Sequence, residues 1–148
     1  MKKQQAGFTL IELVAVILIL GLLAAVALPR YADLAKQARI SSINGVAGGL
    51  RGAVALVRAQ YIAGSQTTSP VTMLDGTTVA VSTGAPSAGG GFPLSTAGGI
   101  DNAMPTPADY TLVSGAATAT YTPSGGSATC LVTYTAAGGV VTIDVSGC

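Results

Sequence analysis

The sequence predicts an α+β fold in which one long N-terminal helix packs on a C-terminal antiparallel β-sheet. Three features of the 148 residues predict this fold. Residues 8–28 are almost purely apolar, and a helical apolar pattern continues over residues 29–62. Residues 63–148 alternate short β-branched runs with turns rich in glycine, serine and proline. We therefore expect a two-part helix followed by a β-rich head.

The composition restricts the chemistry that the chain can perform. Charged residues make up only 9% of the chain, hydrophobic residues 49%, and histidine is absent. Without histidine, Ser-His-Asp and Cys-His catalysis are excluded, as are most zinc sites. The net charge of +1 offers no basic surface to nucleic acid. We predict a non-enzymatic protein with no catalytic residue, no metal, no cofactor and no nucleic acid as its primary partner.

The apolar run at residues 8–28 is long enough to cross a membrane. Its only polar members are Thr9 and Glu12, and as a helix it would measure about 32 Å, close to the hydrocarbon thickness of about 30 Å. Lys2 and Lys3 precede the run, and positive charge in that position keeps the N-terminus in the cytoplasm. We expect the chain after the run to be exported.

Two simple interpretations of this run compete. In the first, the run is a cleaved secretory signal, because Ala25, Val26 and Ala27 fit a small-x-small cleavage site. Against it, the apolar stretch is longer than a signal core and contains a carboxylate. In the second, the run is a plain membrane anchor, where Glu12 has no purpose and costs about 2.5 to 3.5 kcal/mol near the bilayer centre.

A third interpretation gives Glu12 a role in association. If a leader of residues 1–7 is removed after Gly7, Phe8 carries a free α-amino group, which is positive at neutral pH. The amine of a neighbouring copy can then pair with the Glu12 carboxylate. Two unit charges about 4 Å apart attract by about 4 kcal/mol at an effective dielectric constant of about 20. The buried acid then acts as a docking charge between subunits.

The segment KKQQAGFTLIELVAVILILGLLAAVALPRYADLAKQAR resembles the N-terminus of type IV pilins, whose class III signal peptide is shared with type II secretion pseudopilins. The matching residues are Gly7 before the cleaved bond, Phe8 after it, and Glu12 at the fifth position of the mature chain. The resemblance implies the type IV pilin fold, leader cleavage after Gly7 and N-methylation of Phe8 by an inner-membrane prepilin peptidase. It also implies polymerisation by an ATP-driven pilus assembly platform.

The same resemblance implies a homo-oligomeric helical filament. The precursor would lie in the inner membrane and the product in an extracellular pilus used for adhesion or motility. The alternative is a major pseudopilin of a type II secretion system, which forms a short periplasmic piston. A calcium requirement without a disulfide would favour that alternative. Several residues offer oxygen ligands but lack EF-hand spacing: Asp75, Asp101, Asn102, Asp109 and Asp144.

The predicted helix contains both an apolar stripe and residues that weaken it. The stripe consists of Tyr31, Leu34, Ala38, Ile43, Val46, Leu50, Val54, Val57 and Tyr61. Gly21 and Pro29 disfavour helix, and the resemblance implies that the helix melts between them in the assembled filament. Further along, Gly45, Gly48, Gly49 and Gly52 indicate either a kink or close packing against the sheet or a neighbour.

The head is predicted to be an antiparallel meander. Asp75 and Gly76 indicate a two-residue hairpin turn between extended runs. Residues 82–109, rich in glycine, proline and serine, are predicted to be a long surface loop. Four β-branched runs follow: YTLV, ATATYT, ATCLVTYT and VVTIDV. We expect the apolar face of their sheet to pack on the helix.

The two cysteines, Cys130 and Cys148, suggest one disulfide in an oxidising compartment, with two buried free thiols as the alternative. The head also resembles the pilins of the mannose-sensitive haemagglutinin type. That resemblance is found in INGVAGGLRGAVALVRAQYIAG, VTMLDGTTV, GGFPLSTAGGI and CLVTYTAAGGVVTIDVSGC. It implies that a bond between the two cysteines closes the C-terminal loop.

Overall fold

The computed structural model describes residues 7–64 and 68–148, apart from the side chain of Ala32. It contains a long helix α1 (Leu10–Ala63), a hairpin of β1 (Val71–Thr72) and β2 (Thr78–Val79), a short helix α2 (Ile100–Ala103) and four further strands. These strands are β3 (Tyr110–Ser114), β4 (Thr118–Pro123), β5 (Leu131–Thr135) and β6 (Val140–Asp144). The chain divides into two compact units, one ending at Ala38 and one beginning at Arg39.

In the first unit, α1 is apolar and exposed. It contains an 18-residue window with a mean hydropathy of 2.9, none of which is buried. By length and composition this helix is able to cross a membrane. The helix continues through Gly21 and Pro29 without a break in the single chain. Melting between these residues was expected for the filament, so it stays a prediction.

The predicted apolar stripe of α1 is buried only in the second unit. Ile43, Leu50 and Tyr61 are completely buried, and Val54 and Val57 between them are buried as well. Tyr31 and Leu34, in contrast, are 75% and 66% exposed. The predicted apolar stripe is therefore a buried face only from Ile43 onward, and its N-terminal part is exposed.

The head is built on a four-stranded antiparallel meander in the order β3-β4-β5-β6, as predicted. Tyr121 pairs with Val132 across β4 and β5, and Tyr134 pairs with Val141 across β5 and β6. Burial alternates along β4 and β5, because successive side chains point to opposite faces of a sheet. The buried face forms one core with the helix, composed chiefly of Ile43, Ala47, Leu50, Val54, Ala119, Tyr121, Val132 and Tyr134.

The hairpin at the start of the head is confirmed, but its turn is not the predicted two-residue type. Thr72 pairs with Thr78, and the Met73 N–H donates to the Thr77 carbonyl at 2.8 Å, so residues 74–76 form the turn. Oδ1 of Asp75 accepts a hydrogen bond from the Thr77 N–H at 2.9 Å, which stabilises this wider turn. The two strands pack through Val71 and Val79 on the C-terminal part of α1.

The prediction that residues 82–109 form a surface loop was wrong. The segment is irregular, but Phe92, Ser95 and Ile100 are buried, and it includes the short helix α2. A Cβ atom at Gly91 would lie 2.6 Å from the ring of Tyr61. The glycine at this position therefore allows the backbone to lie against an aromatic ring.

The glycine cluster in the second half of α1 does not break the helix, which is continuous from Leu10 to Ala63. Added Cβ atoms at Gly45, Gly48 and Gly52 would meet nothing within 4 Å, and one at Gly49 would lie 3.3 Å from Sδ of Met104. Close packing of this cluster on the sheet, one of the two predicted possibilities, is therefore not observed.

The C-terminal segment is closed by a disulfide between Cys130 and Cys148. Cys130 is completely buried in the head core. The Gly147 N–H donates to the Thr129 carbonyl at 3.1 Å, and Arg39 donates to the Cys148 carbonyl at 3.4 Å. The bond and these contacts attach the tail to the segment directly before β5 and to α1.

Candidate assembly site at the start of the long helix

The N-terminal end of α1 is closed by Thr9 and Glu12. The helix begins at Leu10, so Thr9 is the N-cap residue and Glu12 the third helical residue. The N–H and the hydroxyl of Thr9 donate to Oε2 of Glu12 at 2.9 and 2.6 Å. The Glu12 N–H donates back to Oγ1 of Thr9 at 3.3 Å. This reciprocal pair is a capping box, which satisfies backbone donors that lack partners in the first helical turn.

The sequence interpretation missed this cap. Thr9 and Glu12, three residues apart before an apolar run, are the sequence signature of a capping box, but Glu12 was assigned only an intermolecular role. Both hydrogen bonds from Thr9 end on Oε2, so within the described residues Oε1 is left for another donor. The cap and a docking contact are therefore compatible on one carboxylate.

The predicted cleavage point lies next to the cap. Residues 7–9 are exposed and non-helical, and Phe8 is 79% exposed. A peptide bond between Gly7 and Phe8 that is exposed and outside the helix is accessible to a peptidase. Residues 1–6 of the predicted leader, including Lys2 and Lys3, lie outside the described residues. Gly7 and Phe8 therefore lie directly before the cap that Thr9 and Glu12 form.

The other predicted site residues are elsewhere. Gly21 and Pro29 lie further along α1, and Cys130 and Cys148 lie in the head. The side chains around Gly21 form a continuous exposed apolar surface that includes Ile17, Leu20, Leu23, Val26 and Leu28. An apolar surface of this length requires lipid or other protein around it.

The acidic residues of the head make local hydrogen bonds. The Thr77 N–H holds the pKa of the Asp75 carboxyl below its usual value. Ser146 donates from its hydroxyl and its N–H to Asp144 and lowers the pKa of that carboxyl. In the described ranges, no three His, Cys, Asp or Glu side chains are grouped so that they could hold a metal ion.

Comparisons with known proteins find similarity in the region that contains this site. The prokaryotic N-terminal methylation motif matches residues 2–28. The chain is 52% identical to fimbrial protein EcpC of Eikenella corrodens over 54 residues. This aligned stretch covers 36% of this chain and 35% of that protein. The N-terminal region of the chain is thus similar to that of type IV pilins. Over 54 residues it is also 46% identical to the type IV narrow pilus major component PilA5 of Thermus thermophilus, and 52% identical to the type IV major pilin protein PilE1 of Neisseria gonorrhoeae.

The pilin similarity covers only part of each protein. The match to PilA5 spans 47% of that protein, and the match to PilE1 spans 33%. No solved structure matches the chain. The narrower resemblance of the head to mannose-sensitive haemagglutinin pilins is not tested by these matches and stays a prediction. In type IV pilins generally, the motif is associated with prepilin processing and filament assembly.

Proposed function

We propose that this chain is the major subunit of an extracellular type IV pilus. The observation that carries the proposal is the exposed apolar segment of α1 up to residue 28, whose one carboxylate, Glu12, lies within the residues that match a methylation motif. Such a helix is unstable in water, and it can be covered first by lipid and then by identical helices in a filament core. The helix and the head then provide the filament's core and its surface.

Processing prepares the subunit for this association. A prepilin peptidase of the inner membrane cuts between Gly7 and Phe8 and methylates the new amine of Phe8. The amine of one subunit pairs with Glu12 of the next while Thr9 retains its hydrogen bonds to Oε2 of Glu12. A pilus assembly platform then moves the subunit out of the membrane. The helix melts between Gly21 and Pro29 during this step because both residues lower the cost of unwinding.

The filament acts as a structure rather than as an enzyme. Relatives are named as fimbrial proteins or pilus components, and the chain lacks histidine for common acid–base catalysis. The pilus serves adhesion or motility. The disulfide between Cys130 and Cys148 favours a pilin over a type II secretion pseudopilin, for which we expected calcium without that bond.

Electron microscopy of fibres sheared from cells tests this proposal. An antibody against the head should decorate extracellular filaments along their whole length, and the filaments should disappear when the chain is deleted. Decoration of the tips alone would contradict a role as major subunit. A soluble periplasmic product beginning at Leu28 would instead support the secretory-signal interpretation.

A further inference from the structure

The head contains an open groove of about 770 Å³ beside the β1–β2 hairpin. One wall is a second face of α1 that includes Gly49, Gly52, Ala53 and Leu56, and the other wall includes Leu74. Leu74 is 96% exposed. The groove is mainly apolar, so water alone is a poor occupant.

The helical wall of the groove is distinct from the helix face in the core. Its residues recur at three- and four-residue spacing, which places them on one side of the helix. The neighbouring residues Leu50 and Val54 face the core instead. At Gly52 an added Cβ atom would meet nothing within 4 Å, so the backbone there is open to a close approach.

A complementary surface exists on the same chain at the N-terminal end of the apolar stripe. Tyr31, Leu34 and Ala38 are three and four residues apart, so they share one face of α1. All three are exposed in the single chain. Arg30 lies about a quarter of a turn from Tyr31, at the edge of this face.

We infer that this groove receives residues 30–38 of a second copy of the chain. Tyr31 and Leu34 enter the space above the small residues of α1, since large side chains fit against glycine and alanine. Arg30 of the second copy meets Asp75, an exposed acid at the groove's edge. The opposite charges fix the register in which the helix of the second copy docks. The inference rests on the proposed filament function and assigns one of its contacts.

Cysteine cross-linking in assembled filaments tests the contact. The double variant Leu34→Cys and Leu56→Cys should give a ladder of covalent multimers after mild oxidation, seen on a non-reducing gel. The matched control, Leu34→Cys with Val113→Cys, places the second thiol on the exposed side of β3 and should give none. Filaments of the first variant that yield no more multimers than the control would overturn the inference.

Charge reversal tests the same contact when the cysteine variant does not assemble. Arg30→Glu and Asp75→Lys should each reduce filament yield about tenfold, and their combination should restore most of it. Asp75→Asn removes the charge but retains an oxygen that accepts from the Thr77 N–H. It therefore tests the loss of charge without the loss of the turn's hydrogen bond, and it should also reduce the filament yield. Asp109→Lys, which reverses another exposed acid, should have little effect.

Single variants with normal yield, or a double variant no better than the single ones, would overturn the contact. Such results in a strain whose wild-type chain forms filaments would leave the proposed function intact. Absence of wild-type filaments would instead refute the proposed function.

Discussion

Thr9 and Glu12 are joined by three hydrogen bonds at the first turn of α1, two donated by Thr9 to Oε2 and one by the Glu12 N–H to Oγ1. Glu12 therefore has a role within its own helix besides the docking role that the apolar sequence indicated. Two substitutions at position 12 and one at position 9 separate these roles.

Glu12→Gln removes the charge but keeps an oxygen that accepts from Thr9, because glutamine also fits a capping box. We expect leader removal to continue and filaments to be lost, since the charge pair is gone. Glu12→Ala should give the same result. Immunoblots that resolve precursor from mature chain, with electron microscopy, provide the measurement.

Thr9→Val removes the hydroxyl of the cap and keeps the carboxylate. The helix start should lose about 1 kcal/mol, as other N-caps do, and filaments should still form. Normal piliation by Glu12→Gln, or loss of filaments by Thr9→Val alone, would refute the charge-pair account.

Tyr134 and Tyr121 provide a second test, because both rings are buried but only one hydroxyl has a partner. The Tyr134 hydroxyl donates to the Pro93 carbonyl at 2.6 Å, whereas that of Tyr121 has no partner within the described residues. Tyr134→Phe should lower the free energy of unfolding by about 1 to 3 kcal/mol. Tyr121→Phe should leave it unchanged or raise it. Chemical denaturation of the detergent-solubilised chain measures both, and equal losses would contradict this assignment.

Alkaline pH should destabilise the head through Tyr121. Burial, with a further contribution from the charge of Asp101, raises the pKa of Tyr121 from 10.0 to about 12. The folded state therefore holds a proton that the unfolded state releases, so stability is complete below pH 10 and falls as the pH rises toward about 12. Tyr121→Phe should reduce this loss. Unfolding midpoints measured across this range, with phenolate absorbance, test the prediction, and an identical pH dependence in the variant would contradict it.

The disulfide should stabilise the tail. Cys130→Ser opens a loop with a sequence separation of 18, and loops of this size correspond to about 3 kcal/mol in the chain-entropy account. We expect a lower thermal midpoint and fewer or weaker filaments. Cys148→Ser is the matched control and should behave alike. Two free thiols found by mass spectrometry in the wild-type protein would refute this prediction.

Alanine substitutions at Gly91 and Gly98 distinguish the cost of a steric clash from the cost of a left-handed backbone conformation. Their φ angles are similar, +88° and +81°, but only at Gly91 would an added Cβ atom collide with the ring of Tyr61. Gly98→Ala should cost about 1 to 2 kcal/mol from the left-handed conformation alone. Gly91→Ala should cost about 1 to 3 kcal/mol more, because it overpacks the core. Equal thermal shifts would show that the close approach to Tyr61 is unimportant.

Features that depend on local pattern were predictable from the sequence. The long helix follows from apolar periodicity, and the order of β3 to β6 follows from β-branched runs separated by turns. The cap at Thr9 was equally local and was overlooked. The burial of Phe92 and Ile100 was not predicted, because it depends on glycines that approach Tyr61 from a distant part of the chain. Likewise, composition alone could not show which part of the apolar stripe the head covers.

The mature N-terminus of the protein recovered from outside the cell tests the central claim most directly. Mass spectrometry of that protein should find a chain that begins at Phe8, with one methyl group on its α-amine. An extracellular chain that begins at Met1, at Leu28 or at any other residue would contradict the account, because the Glu12 carboxylate would then have no processed amine to meet.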